Sequence, residues 1–100
     1  PEERNAFVIC NLNYQVENGG FLQYFDNGYY CGIPFVKYVL EELDTPESKE
    51  AMHLLDSANE LWLCTKGLYT KGFELLTEDY FKVNDALIDQ VEAYLSKSNQ

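Results

Sequence analysis

Positive charge is what this sequence has least of. Seven lysines and arginines stand against seventeen aspartates and glutamates, giving a formal net charge of −10 over 100 residues. The pI is about 4.3. Phosphate contacts need cations, so direct binding to nucleic acid is not expected. Attachment to an anionic membrane surface fails for the same reason. No apolar run approaches the roughly 18 residues that a membrane span needs, and no stretch has the layout of a signal peptide. Histidine occurs once, as His53, and the three cysteines, Cys10, Cys31 and Cys64, form no C-x-x-C pair. Zinc therefore lacks ligands, and neither a metal nor another cofactor is expected. Cysteines that are odd in number, widely spaced and set beside apolar residues read as reduced, buried thiols of a cytoplasmic protein. The chain opens at Pro1 without a methionine, which suggests that a few leading residues have been trimmed.

What is present is the composition of a folded protein. With 46% hydrophobic residues, the chain does not read as disordered. A chain of this size buries roughly two thirds of its unfolded surface, enough for one core. A single domain over residues 1–100 is expected, since no repeat, linker or low-complexity segment divides it.

The apolar spacing is helical throughout. Ala6, Ile9, Leu12 or Asn13, and Val16 recur at helical intervals over residues 2–17, with Phe7 and Val8 widening the stripe. Asn18-Gly19-Gly20 then stops the helix, because a glycine just past a helix end can take the left-handed conformation that closes it. Phe21, Leu22, Tyr24 and Phe25 predict a short second helix, ended by Asn27-Gly28. Residues 29–32 read as a loop. Pro34 fits a first turn, and Phe35, Val36, Val39, Leu40 and Leu43 carry that helix to Asp44. Thr45 as N-cap and Pro46 as first residue open a long helix to about Lys66, with Ala51, Leu54, Leu55, Ala58, Leu61, Trp62 and Thr65 on its buried face. Gly67 closes it. Residues 68–76 pack as a loop or a short helix, since Gly72 weakens a helix through them. Thr77 reads as the cap of a turn through Phe81. Asn84 reads as the N-cap of a last helix, with Val83 and Ile88 as its hydrophobic staple. Leu87, Ile88, Val91, Tyr94 and Leu95 form its apolar face. The expected fold is all-α, with five or six helices around one core.

Four of the six glycines fall between residues 15 and 32. They match neither the P-loop spacing nor G-x-G-x-x-G after a strand, and no base lies between Arg4 and Lys37 to meet a phosphate. They read as helix punctuation. The aromatics around them read as core, with Tyr14, Tyr24, Tyr29 and Tyr30 burying their rings.

The same stretch carries a resemblance. Tyr14-Gln15-Val16-Glu17-Asn18-Gly19-Gly20-Phe21, then Gln23-Tyr24-Phe25 and Asn27, resembles the signature of the DNA-mimic-protein-19-like domain, a widespread bacterial domain. Asp79-Tyr80-Phe81 and Ala93-Tyr94-Leu95 fit its tail, so the resemblance runs from about residue 8 to residue 96. It implies an all-helical fold. It also implies, from the namesake class, a DNA mimic whose acidic surface occupies a DNA-binding protein. The Asn-Gly-Gly-Phe motif itself looks architectural, so any mimicry must rest on the acids.

Those acids are grouped. Glu41, Glu42, Asp44, Glu47 and Glu50 straddle a helix–helix corner with Lys49 as the only base among them. Asp85, Asp89 and Glu92 lie at i, i+4 and i+7 on the last helix. Asp56 and Glu60 form a similar pair on the long helix, and Glu74, Glu78 and Asp79 a further patch. A four-residue helical step rises about 6 Å, and two phosphate steps along a strand about 6.8 Å. Carboxylates so spaced can stand in for alternate phosphates, although any solvated helix shows the same spacing. Asp85 and Glu47 also favour the helix N-termini where they sit.

No catalytic constellation accompanies them. His53 reads as an exposed helical residue, no Cys–His signature exists, and the enzyme alternative is a hydrolase using Glu17 and Asp26 near the glycines. Glu17 reads as bonded within its own helix end. The expectation is a non-enzymatic binding protein whose partner is a basic DNA-binding protein such as a transcription regulator. A mimic aimed at a dimeric repressor could itself form a homodimer. The alternative is a structural or immunity-like interaction module with incidental acidity, binding through exposed tyrosines such as Tyr29, Tyr30 and Tyr69.

Overall fold

Prolines and caps set the helix starts in the computed structural model, which describes residues 2–98, without the side chains of Glu2, Tyr30, Cys31 and Ser98. Five helices follow one another: α1 (Glu2–Asp26), α2 (Ile33–Leu43), α3 (Pro46–Thr65), α4 (Lys71–Phe81) and α5 (Asn84–Ser98), with a 3₁₀ turn at Tyr29–Gly32 where the spacing predicts a loop. No strand occurs among the described residues. No helix is long and apolar enough to cross a membrane. Pro34 lies in the first turn of α2 and Pro46 in that of α3. Thr45 caps α3 as expected: its hydroxyl accepts from the Ser48 N–H and the Ser48 hydroxyl accepts from the Thr45 N–H, both at 3.0 Å. Serine thus replaces the usual Glu or Gln of a capping box.

The glycine-rich stretch is a kink inside α1. Only Gly20 leaves the helical region, at φ 80 and ψ −178. This differs from the expected left-handed closure; it is the mirror-extended region that glycine alone visits freely. The N–H of Phe21 donates to the hydroxyl of Thr77 at 3.2 Å. Thr77 therefore sits in mid-helix α4 and satisfies the kink in α1, rather than capping a turn of its own. Thr77→Val keeps the shape and removes the acceptor. It is expected to cost about 1–3 kcal/mol, the range for stranding a largely buried donor, read as a lower urea midpoint with an unchanged slope.

The remaining motif residues serve the same kink. The Gln15 side-chain oxygen accepts from Gln23 (3.2 Å) and from Asn27 (3.1 Å), tying the two halves of α1 together. Val16, Phe21, Tyr24 and Phe25 are buried. They join Ile9 and Leu12 of α1, Val39 and Leu40 of α2, Leu54 and Leu55 of α3, Phe73 and Tyr80 of α4, and Leu87 and Val91 of α5 in one core. Both Leu12 and Asn13 are buried. Asn13 accepts from the Tyr80 hydroxyl and donates to the Asn84 carbonyl (3.3 Å), joining α1, α4 and α5.

Several expectations are overturned. The Asn84 side chain does not cap α5; it donates to Glu17 at 2.7 Å, while the Val83 carbonyl accepts from Leu87 at the N-cap position. Glu17 is thus bonded across the fold, not within its own helix end. The closure of α3 is shared: Lys66 is left-handed (φ 55) and Gly67 follows at φ 78. Their N–H groups reach Leu63 and Trp62, a Schellman arrangement with lysine where glycine is usual. Cys10 and Cys64 are exposed rather than buried, and the Cys31 side chain lies outside the described residues. Phe7 and Tyr14 point outward, at 69% and 63% exposure, instead of extending the core. Tyr29 is exposed, though stacked on Tyr24 at a centroid distance of 5.2 Å, and the Tyr30 side chain lies outside the described residues.

Candidate functional site

Asp44 turns the chain between α2 and α3 in the left-handed conformation (φ 50, ψ 53). Asp tolerates that region better than most residues. The turn brings Glu41, Glu42 and Asp44 around one open hollow of about 500 Å³, with Tyr38 as its fourth member. Tyr38 is 55% exposed. Its hydroxyl donates to the Glu42 carboxylate, and that bond, with the carboxylate's charge, raises the Tyr38 pKa above its ordinary value. Glu41 also borders a neighbouring hollow with Asp56. There the Lys37 ammonium lies 3.0 Å from Asp56. Asp44 pairs with Lys49 at 3.4 Å. Such exposed pairs contribute about 0–1 kcal/mol and exchange readily for a better partner.

The other acids are placed unequally. Glu47 is half-buried, and its carboxylate accepts from Gln90 of α5 at 2.8 Å. Gln90 in turn accepts from the Thr45 hydroxyl at 2.6 Å. That amide docks α5 on the corner. Asp85, Asp89 and Glu92 are exposed, on the face of α5 opposite Leu87 and Val91. Glu50 and Glu60 are exposed on α3. Among the described residues, no lysine or arginine pairs with Glu41, Glu42, Glu50, Glu60, Asp85, Asp89 or Glu92. Glu41, Glu42 and Asp44 share one hollow and Glu41 shares the other with Asp56, while Glu47, Glu50, Glu60, Asp85, Asp89 and Glu92 line neither. Tyr38 was absent from the sequence-derived set. Its position four residues before Glu42 was the available signal, since side chains at i and i+4 meet on a helix.

The acid pair near the glycines is committed to structure. Glu17 holds Asn84, and Asp26 accepts from the Trp62 indole at 3.2 Å. His53 is exposed on α3 as expected. The Cys10 sulfur, on an exposed residue, is partly desolvated, and this together with the Glu92 charge pushes its pKa up, away from a reactive thiolate. Among the described residues, no three of His, Cys, Asp and Glu gather as a metal site.

A small acidic all-α domain with a glycine-kinked first helix is the class that fold and surface define. The model of the DMP19-like protein family matches residues 1–98, and the chain belongs to that family. No curated protein and no solved structure matches it.

Proposed function

We propose that this domain acts without chemistry of its own, as a DNA mimic. Its carboxylates occupy the phosphate-binding surface of a basic DNA-binding protein, such as a transcription regulator, in the cytoplasm of a bacterial cell. The observation that carries this reading is the α2–α3 corner, where Glu41, Glu42 and Asp44 converge on one open hollow and, of these three among the described residues, only Asp44 has an ion pair, the exposed one with Lys49. Two further observations support it. The chain carries a formal charge of −10, and its long axis of 45 Å exceeds one turn of duplex, about 34 Å. Lysines and arginines that normally meet phosphates would meet these carboxylates instead. Charge steering makes such association fast and strongly salt-dependent, because screening acts within about 8 Å at physiological ionic strength.

The test is capture from a lysate of the source organism at low salt, followed by a salt step. The expected result is a DNA-binding protein that elutes with salt and is displaced by its own DNA. Its affinity for a Glu41→Gln, Glu42→Gln, Glu50→Gln variant should fall about tenfold or more, the scale expected when several charge pairs are lost. Recovery of a protein that binds no DNA and survives the salt step would overturn mimicry and favour the immunity-like module.

A further inference from the structure

We propose that the kink in α1 forms a second docking site, one that takes a protein segment presenting a lysine or arginine side chain beside an apolar one. A groove of about 310 Å³ lies between the kink and α4. That is near the lower end of ligand sites, roughly 300–1,000 Å³, and accommodates one or two side chains rather than a large cofactor. It shares no residue with the hollows at the α2–α3 corner and does not rest on the mimicry reading.

The lining has two chemistries. Glu17, Glu74 and Glu78 supply three carboxylates, and none of the twelve lining residues is basic. Glu78 has no ion-pair partner among the described residues. Glu74 accepts from the Tyr69 hydroxyl and faces Lys71 at 3.7 Å, an exposed contact that a tighter cation would replace. Glu17 spends one oxygen on Asn84. The last turn of the first half of α1, from Val16 to Gly20, forms one wall. A helix ends there, and the partial negative charge of its carbonyls adds to the carboxylates.

The second chemistry is apolar. Phe21 and Phe73 are buried beneath the groove, while Tyr69 and Phe81 stand at its rim with 62% and 45% exposure. A lysine or arginine stem packs on such rings while its charged head reaches carboxylates. Gly20 keeps the groove wall at Thr77 clear, and Gly19 makes room for Gln23. A side chain at Gly20 would meet the Thr77 hydroxyl at 3.0 Å, and one at Gly19 would collide with Gln23. Leu68 (72%) and Leu75 (52%), next in sequence to the lining residues Tyr69 and Glu74, are also apolar and exposed. A free amine would leave that surface uncovered, whereas an extended chain with apolar residues next to its cation covers it. The complementary occupant is therefore a basic-apolar segment of a partner protein.

The probe is a capped peptide with two repeats of Leu-Arg-Ala, titrated into ¹⁵N-labelled full-length protein and followed by NMR. A chain this acidic attracts any cation weakly, so location decides. The expected result is a saturable set of shifts centred on the amides of Gly19, Gly20, Leu22 and Tyr69. Glu74→Gln with Glu78→Gln, both at exposed positions, should weaken the peptide at least tenfold, as should citrulline in place of arginine. Glu41→Gln with Glu42→Gln should leave peptide binding within twofold. Shifts centred on the α2–α3 corner, equal losses in the two variants, or no saturable shift at the kink at millimolar peptide would each overturn the proposal. The corner variant separates the two sites, since it is expected to weaken only the lysate partner.

Discussion

Gly20→Ala is expected to lower the midpoint of thermal unfolding by roughly 12–24 °C, the shift that about 3 kcal/mol produces in a domain of this size. Two costs add. At φ 80 and ψ −178 the residue occupies a region that an L side chain enters only with strain, worth about 1–3 kcal/mol. The new methyl would also meet the Thr77 hydroxyl at 3.0 Å, the acceptor that holds the Phe21 N–H. Relieving either problem opens the bond that satisfies the kink. Gly32→Ala is the control. That glycine has a negative φ (−95) and no heavy atom within 4 Å of an added Cβ, so its effect should stay within about 0.5 kcal/mol. Equal melting of the two variants would show that the Gly20 conformation is not needed.

The second large effect lies at high pH. Tyr24 and Tyr80 are buried at 1% and 0% exposure. Burial, reinforced by Tyr29, pushes the Tyr24 hydroxyl up to about 12. Burial, reinforced by the Glu17 charge, pushes Tyr80 up further. A raised phenol pKa means that the unfolded chain gives up its proton first as pH rises. The stability tied to these hydroxyls is therefore complete below pH about 10, the ordinary tyrosine value. It falls as pH climbs toward the folded-state values, by about 1.4 kcal/mol per pH unit for each tyrosine. Over the two units from 10 to 12, Tyr24 alone removes about 3 kcal/mol. The tyrosinate absorbance of the two buried rings should then appear together with the loss of helicity, in one cooperative step above pH 10. Tyrosinate absorbance that saturates near pH 10 with helicity intact would contradict the burial of both rings.

Local chemistry made much of this fold readable. Thr45, Pro46 and the apolar rhythm from Ala51 to Thr65 specify α3 without help from elsewhere, and Pro34 does the same for α2. Gly28 closes its helix at φ 91, as its position predicts. The outward placement of Glu41, Glu42, Asp56, Asp85 and Asp89 follows from the same stripes, since they sit opposite the buried faces. What could not be read has partners far away in sequence. Nothing beside Thr77 announces that its hydroxyl serves a backbone N–H in α1, so it resembles a cap. Asn84 looks like a cap because its true partner, Glu17, lies four helices back, in α1. Gly72 argues against a helix, yet α4 includes it where the chain closes on α3: a Cβ there would press on Leu61 at 2.9 Å. Cys10, Cys64 and Tyr14 were placed by hydrophobicity, whereas helix phase turned them outward. At the acidic corner, exposure was legible but the Lys37–Asp56 pairing was not, because it depends on how α2 and α3 cross.

The bonds that complete α1 span nearly the whole chain. Phe21 waits for a residue 56 positions later, Glu17 and Asn13 for Asn84 at separations of 67 and 71, and Asn5 for Tyr94 at 89. Helical domains usually fold quickly because their contacts are local; here α1 is finished by α4 and α5. At a synthesis rate of about 5–20 residues per second, Thr77 follows Phe21 by roughly 3–11 s. During that interval the apolar stripe of α1 has only α2 and α3 to cover it. This domain is thus most prone to aggregate just before α4 and α5 are made, and a stop codon in either would leave a fragment that cannot close its own core.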